Sequence, residues 1–326
     1  MSKIRTMIGM LAAMAYACSF TSPAAAQEFP SGKPVHLVVG YVPGGATDAA
    51  ARIIAEQLSQ NLGQAVIVEN RPGAGGVIAD QYVAKAKPDG TTLLLSTMGS
   101  LSVAPHLMNL TYDPAKDLAP VTMAVQFPLV LITPASLKLN TLQQFIDLAK
   151  KQEGQLNFGS PGVGSASHLA GEMFNHQAGV EIVHVPYKGG GPVMVDLLSA
   201  RIAAYYASPT SAKTQLEAGK VTALATTGLR RSEFLPDVPT IAESGYPEFN
   251  AINWYAIVAP GSTPAPILEG WNEEIVKVLN SHDVREKLRQ QGLSASPGTR
   301  EELGQFMEKE SARWEEVIKA RHITLG

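Results

Sequence analysis

Two short segments combine residues able to hold an anion without a charged side chain. In the first, Tyr41-Val42-Pro43-Gly44-Gly45-Ala46-Thr47-Asp48 follows an apolar run, Val35 to Val39, and leads into an alanine-rich stretch. Apolar residues at Ala50, Ile53, Ile54 and Leu58 have helical spacing, and Thr47 or Asp48 is expected to cap that helix. Paired glycines let a ligand approach the main chain, and the N–H groups of a helix's first turn favour an anion. In the second segment, Leu156-Asn157-Phe158 delivers Gly159-Ser160-Pro161-Gly162-Val163-Gly164-Ser165-Ala166-Ser167, with a helix predicted from about Ser167 to Gln177. Both turns follow a strand, carry hydroxyls and open a helix. The chemistry they suggest is the grip of a small carboxylate between two such corners.

Other chemistries fit less well. Gly159 to Gly164 has the gap of a phosphate loop, but Ser165 and Ala166 stand where Lys and Ser/Thr are required. His168, Glu172 and His176 share a helix face at metal-ligand spacing; without a further ligand cluster they read as a partly solvated helix surface, and no metal or cofactor is expected. No G-x-S-x-G elbow occurs, and Ser160 has no His–Asp partners at recognisable spacing, so catalysis is the weaker class. Asp48 reads as a helix-start residue favouring the dipole. Arg71 is either a counter-charge or a surface turn residue, and Tyr205 and Tyr206 alternate on one strand, so that one of them faces the cleft.

The elements that must position these turns alternate strand and helix, which predicts a parallel α/β architecture. Expected strands are 35–39, 65–68, 92–96, 129–132, 156–158, 182–185, 202–206, 221–226 and 254–258. Thr97 and Ser100 sit at the C-terminal end of one of them, where open α/β sheets bind ligands. Asn140 or Thr141 is expected to cap a helix reaching Lys151, Pro192 to occupy a first helical position, and Thr299 with Glu302 to form a capping box. Phe306, Trp314, Val317 and Ile318 make an apolar stripe near the C-terminus.

Residues 1–26 read as a secretory leader: Lys3 and Arg5, an apolar core from Ile8 to Ala17, and Ala24-Ala25-Ala26 before Gln27. That core is too short to span a bilayer. Tyr16 is a poor residue for lipid attachment at Cys18, which favours release after Ala26. The remaining 300 residues carry 24 Lys+Arg against 29 Asp+Glu, a net charge of −5, and no cysteine. Nucleic-acid binding, which needs a basic patch, is disfavoured, as are disulfide and thiol chemistry. Two domains of ordinary size are expected.

Several stretches together resemble one family. The turn from Tyr41 to Arg52, Val68-Glu69-Asn70-Arg71-Pro72-Gly73-Ala74-Gly75-Gly76, Pro186-Tyr187-Lys188-Gly189-Gly190-Gly191-Pro192 and the segment from Pro236 to Gly245 are similar to the signatures of the tripartite tricarboxylate transporter substrate-binding proteins, the Bug proteins. The resemblance spans nearly the whole mature chain. It implies an α/β, two-domain periplasmic binding protein fold (type II-like), with a ligand cleft between the domains. Domain 1 would be discontinuous, 27–127 with 252–326, and domain 2 would span 128–251. The ligand carboxylate would be held by amides, hydroxyls and water from the two facing loops.

The expected ligand-binding set is Tyr41, Pro43, Gly44, Gly45, Ala46, Thr47 and Asp48 from the first loop, with Thr97 and Ser100 beside it. From the other domain it is Ser160, Gly162, Val163, Gly164, Ser165, Ser167 and His168, with Tyr187, Gly189, Tyr206 and Ser208. Family members often carry an acidic residue just after the strand equivalent to 202–206; Ala207 and Ser208 stand there instead, which argues against an amino-acid ligand and for a dicarboxylate, tricarboxylate or aromatic carboxylate. The expected function is that of a periplasmic, monomeric, non-enzymatic receptor delivering this acid to the membrane permease subunits of a tripartite tricarboxylate-type transporter. The alternatives are a ligand sensor for a signalling partner and a secreted serine hydrolase.

Overall fold

The computed structural model describes residues 32–321 and 323–324. The expected leader, its cleavage site and Cys18 lie outside the described residues. Among the described residues no helix is long and apolar enough to cross a membrane.

The chain opens with β1 (Val35–Val39), α1 (Ala46–Leu62), β2 (Val66–Asn70), α2 (Val77–Ala84) and β3 (Thr92–Thr97). β1 pairs in parallel with both β2 and β3, so that two strand–helix–strand units form a wound sheet. A π-helical turn, Gly99–Val103, and single turns at Ala104–Leu107 and Pro114–Asp117 lead to β4 (Leu118–Pro128). β4 is absent from the sequence reading because Pro120 and Pro128 interrupt its pattern; prolines belong at strand edges and bulges, and β4 shows register shifts against its neighbour.

The chain then enters a second sheet through β5 (Val130–Pro134), α3 (Leu142–Lys151), β6 (Asn157–Ser160), α4 (Ala166–Ala178) and β7 (Val183–Pro186). This sheet continues with α5 (Gly190–Leu198), β8 (Ala204–Ala207), α6 (Pro209–Glu217) and β9 (Val221–Thr226). Thr141 caps α3, accepting from Gln144 N. Pro192 is the third helical residue of α5 rather than the first, since Gly189 is the cap; it still falls in the turn whose N–H groups have no intrahelical acceptor. The return strand β10 (Ile252–Pro260) is followed by α7 (Ala265–Asn280), α8 (His282–Gln290), β11 (Ser294–Ala295) and α9 (Arg300–Arg321).

Strand order is β11-β4-β10-β3-β1-β2 in one sheet and β7-β6-β8-β5-β9 in the other. The sheets are mixed, not wholly parallel. β10 runs antiparallel to β3 and β4, and β5 antiparallel to β8 and β9. The reason lies in the connectivity: β5 and β10 are the strands by which the chain passes from one sheet to the other, so each enters from the end opposite to its wound neighbours. Two packed sheets with two crossings make a two-domain periplasmic binding protein fold.

The C-terminal helix α9 closes the first domain. Thr299 and Glu302 form the expected capping box, each backbone N–H meeting the other's side chain. Trp314 and Ile318 are buried, and Phe306 meets the buried Trp254 edge-on at 5.3 Å. Glu310, also buried, accepts from the indole N–H of Trp254 at 3.2 Å and of Trp314 at 3.1 Å. A carboxylate can stay inside only when so supplied with donors.

The two crossings are tied together by one side chain. Leu129 N–H donates to Thr227 Oγ1 at 2.8 Å, and that hydroxyl donates to Ala251 O at 2.7 Å. Backbone bonds from Thr227 N to Leu129 O and from Ala251 N to Thr227 O complete the knot. Thr227 is fully buried. Replacing it with the isosteric Val strands the Leu129 N–H and the Ala251 carbonyl, and should lower stability by about 1–3 kcal/mol. Urea denaturation of Thr227→Val checks this; an unchanged midpoint would contradict it.

Candidate functional site

At the first corner β1 ends and Gly44 takes φ +89°, a left-handed conformation that a residue with a Cβ adopts only under strain. Gly45 is the N-cap of α1 and makes no side-chain capping bond. Neither Thr47 nor Asp48 is the cap: they are the second and third helical residues. Asp48 instead reaches back to accept from Gly44 N at 3.0 Å. It also takes both arms of Arg52 and the Asn70 amide at 3.0 Å each, and Asn70 in turn donates to Tyr41 O. Burial works to raise the Asp48 carboxyl, but the bonds from Arg52, Gly44 and Asn70 outweigh it and hold the pKa below the usual carboxylate value. Asp48 is thus the anchor of the turn, with its lone pairs already used. Arg71 stacks over the Tyr82 ring at 3.6 Å and pairs with Glu69, which makes it a surface turn residue.

At the second corner Ser165 caps α4, accepting from His168 N. Ser167 Oγ donates to Tyr206 O at 2.6 Å. Ser160 is fully buried. Its hydroxyl donates to Gly162 O at 2.9 Å and accepts from His184 Nε2 at 2.6 Å. Gly164 N donates to His168 Nδ1 at 3.1 Å, and the His168 and His184 rings stack at 3.9 Å. His168 is therefore buried rather than part of a solvated helix surface. Burial, with a smaller effect of His184, lowers its pKa to about 3, and burial lowers that of His184 to about 4. Two neutral imidazoles brace the loop from behind. Among the described residues no group of three or more His, Cys, Asp or Glu is arranged to hold a metal ion.

The Ser160–His184 pair is one that spacing along the sequence does not reveal. It resembles half of a nucleophilic triad, but the serine has no exposed surface and its proton is committed to Gly162 O. A useful general base needs a pKa near the working pH, and His184 is far below it.

The two corners face each other across a cavity of about 500 Å³ between the sheets. The domains meet closely around it: a Cβ on Gly99 would stand 3.0 Å from Gly164 O, and one on Gly189 would stand 3.3 Å from Val42 Cγ2. Of the residues singled out from sequence, Tyr41, Pro43, Gly44, Gly45, Ala46, Thr47 and Thr97 line the cavity from the first domain. Ser165, Ser167, Gly189 and Ser208 line it from the second.

Asp48, Ser100, Ser160, Gly162, Val163, Gly164, His168, Tyr187 and Tyr206 lie outside the lining. Tyr187 donates its hydroxyl to Asp196 Oδ2 at 2.8 Å. Tyr206 packs against Phe158 and Phe174 in the core. Tyr205 is the tyrosine on the cavity side of β8, and Tyr255 and Asn253 join it from β10. The wall also gains hydroxyls from α6, at Thr210, Ser211 and Thr214, and an apolar strip from α5, at Met194, Val195 and Leu198. Strand parity was the signal for Tyr205, but fixing it required the register Leu131–Tyr206 and Ile132–Tyr205 between β5 and β8.

No Asp, Glu, Lys, Arg or His among the described residues lines this cavity. What faces it is the first turn of four helices: 45–47 of α1, 165–167 of α4, 189–191 of α5, and Ser208, Thr210 and Ser211 of α6. Each N-terminus favours an anion by about 0.3–1 kcal/mol when exposed and up to about 2 when partly buried. The site can therefore bind negative charge through main-chain N–H groups and hydroxyls alone.

The buried imidazoles have a consequence for stability. The folded pKa of His168 lies below its unfolded value of 6.5, so the unfolded chain binds the extra proton as pH falls. His168 leaves stability intact above pH 6.5 and withdraws it progressively below. His168→Asn keeps an acceptor for Gly164 N–H but does not titrate. The stability of wild type relative to this variant should drop by on the order of 2 kcal/mol between pH 6.5 and 4.5, read from urea midpoints; a constant difference would contradict a buried neutral ring.

Comparison with known proteins gives one answer. The family model of the tripartite tricarboxylate transporter family receptor matches residues 50–323. BugT of Bordetella pertussis is 38% identical over 321 residues, covering 98% of this chain and 97% of its own. Among solved structures, Rpa4515 of R. palustris with adipate has a TM-score of 0.87 at 36% identity, covering 91% of this chain and 99% of that one. MatC of Rhodopseudomonas palustris with bound malate has a TM-score of 0.82 at 32% identity, covering 88% and 99%. The chain, with its two wound sheets and the cavity between them, belongs to the tripartite tricarboxylate transporter receptor family and is similar to its Bug proteins.

Proposed function

We propose that this protein is a periplasmic solute-binding receptor that captures a small carboxylate in the cleft between its domains and hands it, unchanged, to the membrane subunits of a tripartite tricarboxylate-type transporter. The observation that carries the reading is the convergence of four helix N-termini on a cavity without charged side chains. Such a wall attracts an anion, yet holds it with individually modest bonds, as a carrier that must release its cargo requires. The adipate and malate in the two solved relatives support a carboxylate as the ligand class. Within that class we favour a dicarboxylate, tricarboxylate or aromatic acid over an amino acid, because no carboxylate side chain among the described residues lines the cavity to meet an ammonium group.

In this reading the domains divide at the crossings, 27–127 with 252–326 against 128–251, and the ligand selects their closed arrangement. The hinge is then the knot at Leu129, Thr227 and Ala251. The ligand set is the group of cavity-lining residues, while Asp48, Ser160 and His168 hold the corners in shape. The receptor works as a monomer, without a cofactor and without catalysis, after release of residues 1–26 in the periplasm. The committed hydroxyl of Ser160 and the low pKa of His184 weigh against a hydrolase.

The test is a thermal-shift screen with adipate, malate, citrate, benzoate and aspartate. Micromolar binding is worth about −8 kcal/mol, and a ligand at a hundred times its dissociation constant adds about 2.7 kcal/mol to stability. At least one of the first four acids should raise the melting temperature by several degrees, and more than aspartate does. A flat response to all of them would overturn the proposal.

A further inference from the structure

Behind the cavity wall lies an acid that carboxylate binding as described above leaves unused. Asp80, on α2, is 1% exposed. Its two oxygens accept from Ser96 Oγ at 3.0 and 2.9 Å. Ser96 Oγ is 2.9 Å from Ser100 Oγ, and Ser100 Oγ is 3.4 Å from Thr97 Oγ1 and 3.3 Å from the Thr97 carbonyl, its other available acceptor. Thr97 Oγ1 is in turn 3.4 Å from the Tyr41 hydroxyl, which donates to Gly75 O at 2.8 Å. Thr97 and Tyr41 both line the cavity. A continuous file of hydroxyls thus connects a buried carboxyl to the surface that meets the ligand.

Resting on the carboxylate-binding reading above, we propose that Asp80 is a positioning residue that sets the donor–acceptor polarity of the cavity wall, so that binding a carboxylate takes up a proton at Asp80. The reason is the direction of the hydroxyl hydrogens. An ionised Asp80 can only accept, so Ser96 and Thr97 turn their hydrogens inward, Ser100 gives up the Thr97 carbonyl to donate to Ser96 Oγ, and Thr97 shows a lone pair to the cavity. A protonated Asp80 donates to Ser96 Oγ. The file then reverses, and Thr97 offers its O–H to the incoming anion. Two anions sharing one dry hydroxyl file also repel, which favours the same proton uptake.

Among the described residues no cation faces Asp80 to hold it ionised. From its own helix the titratable neighbour is Tyr82; from the first corner it is Tyr41. Tyr112 precedes the Pro114–Asp117 turn, whose Asp113 and Lys116 pair with each other at 2.9 Å, with Asp117 beside them. Tyr255 lies on β10, and His36 on β1 pairs outward with Glu69. Strands β3 and β4 and the Gly99–Val103 turn carry no ionisable side chain. The Tyr112 hydroxyl is buried without a partner, and its pKa is raised chiefly by burial and further by the charge of Asp80. Burial likewise pushes the Asp80 carboxyl up to about 7, against the opposing bonds from Ser96 and Ser100. The switch therefore sits where small changes in pH change its state.

The experiment is isothermal titration of wild type and Asp80→Asn with adipate, malate and benzoate, in buffers of differing ionisation heat, at pH 6, 7 and 8. Asn keeps the shape of the protonated acid and can donate to Ser96, but cannot ionise. Wild type should take up close to one proton per ligand at pH 8, with Kd rising about tenfold from pH 6 to 8; Asp80→Asn should bind with a flat pH profile near the wild-type value at pH 6. Thr97→Val should weaken binding at pH 6 and reduce its pH dependence. Binding with equal proton uptake in wild type and Asp80→Asn would overturn the role of Asp80 while leaving the receptor reading intact. Binding of none of the three acids by either protein would overturn both.

Discussion

Holding an anion in a cleft without a counter-charge is the constraint to which the rest of this structure answers. A carboxylate removed from water needs several hydrogen-bond donors at once, and helix first turns present clustered main-chain N–H groups that have no intrahelical acceptor. A single helix offers too few, over too narrow an angle. Two domains, one delivering the N-terminus of α1 and the other those of α4, α5 and α6 to one cavity, can surround the anion, and the wound topology brings this about because each of these helices starts from the strand end nearest the cleft. The absence of Lys and Arg from the lining among the described residues follows the same logic. A desolvated ion pair would be slow to part, whereas amides and hydroxyls exchange the ligand for water readily.

The two corners are stiffened by different means. On the first domain Asp48 serves as an ionic hub, drawing Gly44, Arg52 and Asn70 to one carboxylate. On the second, two stacked neutral imidazoles hold Ser160 and the Gly164 amide. Both devices sit just behind residues that line the cavity. The difference has a physical basis. Asp48 lies where Arg52 still reaches solvent and can stay charged, while His168 is enclosed between α4 and the β6–β7 edge, where a charge would be costly.

Much of this was legible in the residues themselves. The strand–glycine–helix spacing at 35–62 and 156–177 pointed to both corners: a glycine turn after a strand is common by itself, but two of them, each bearing hydroxyls and opening a helix, are a stronger signal. The capping box at Thr299 and the stripe ending at Ile318 were equally plain, since both depend on neighbours within one helix. What the residues did not disclose depends on register and on distant partners. Which of Tyr205 and Tyr206 faces the cleft is decided by pairing with β5, seventy residues away. Ser160 meets His184 only because β6 and β7 are adjacent, and the burial of His168 follows from the same pairing. Asp48 looked like a cap because its type and position suit one; that it would brace the preceding glycine instead depended on Arg52 and Asn70 converging on it. The antiparallel entry of β5 and β10 depended on the double crossing, which no local pattern encodes.

The central claim, an acid clasped by main-chain donors from both domains at once, is tested most directly by backbone amide shifts in the labelled protein as adipate or another bound acid is titrated. The account predicts that the amides of Gly45, Ala46 and Thr47 and those of Ser165, Ala166 and Ser167 move downfield together with a single saturation curve. Movement confined to one corner, or shifts centred away from the cavity, would contradict it.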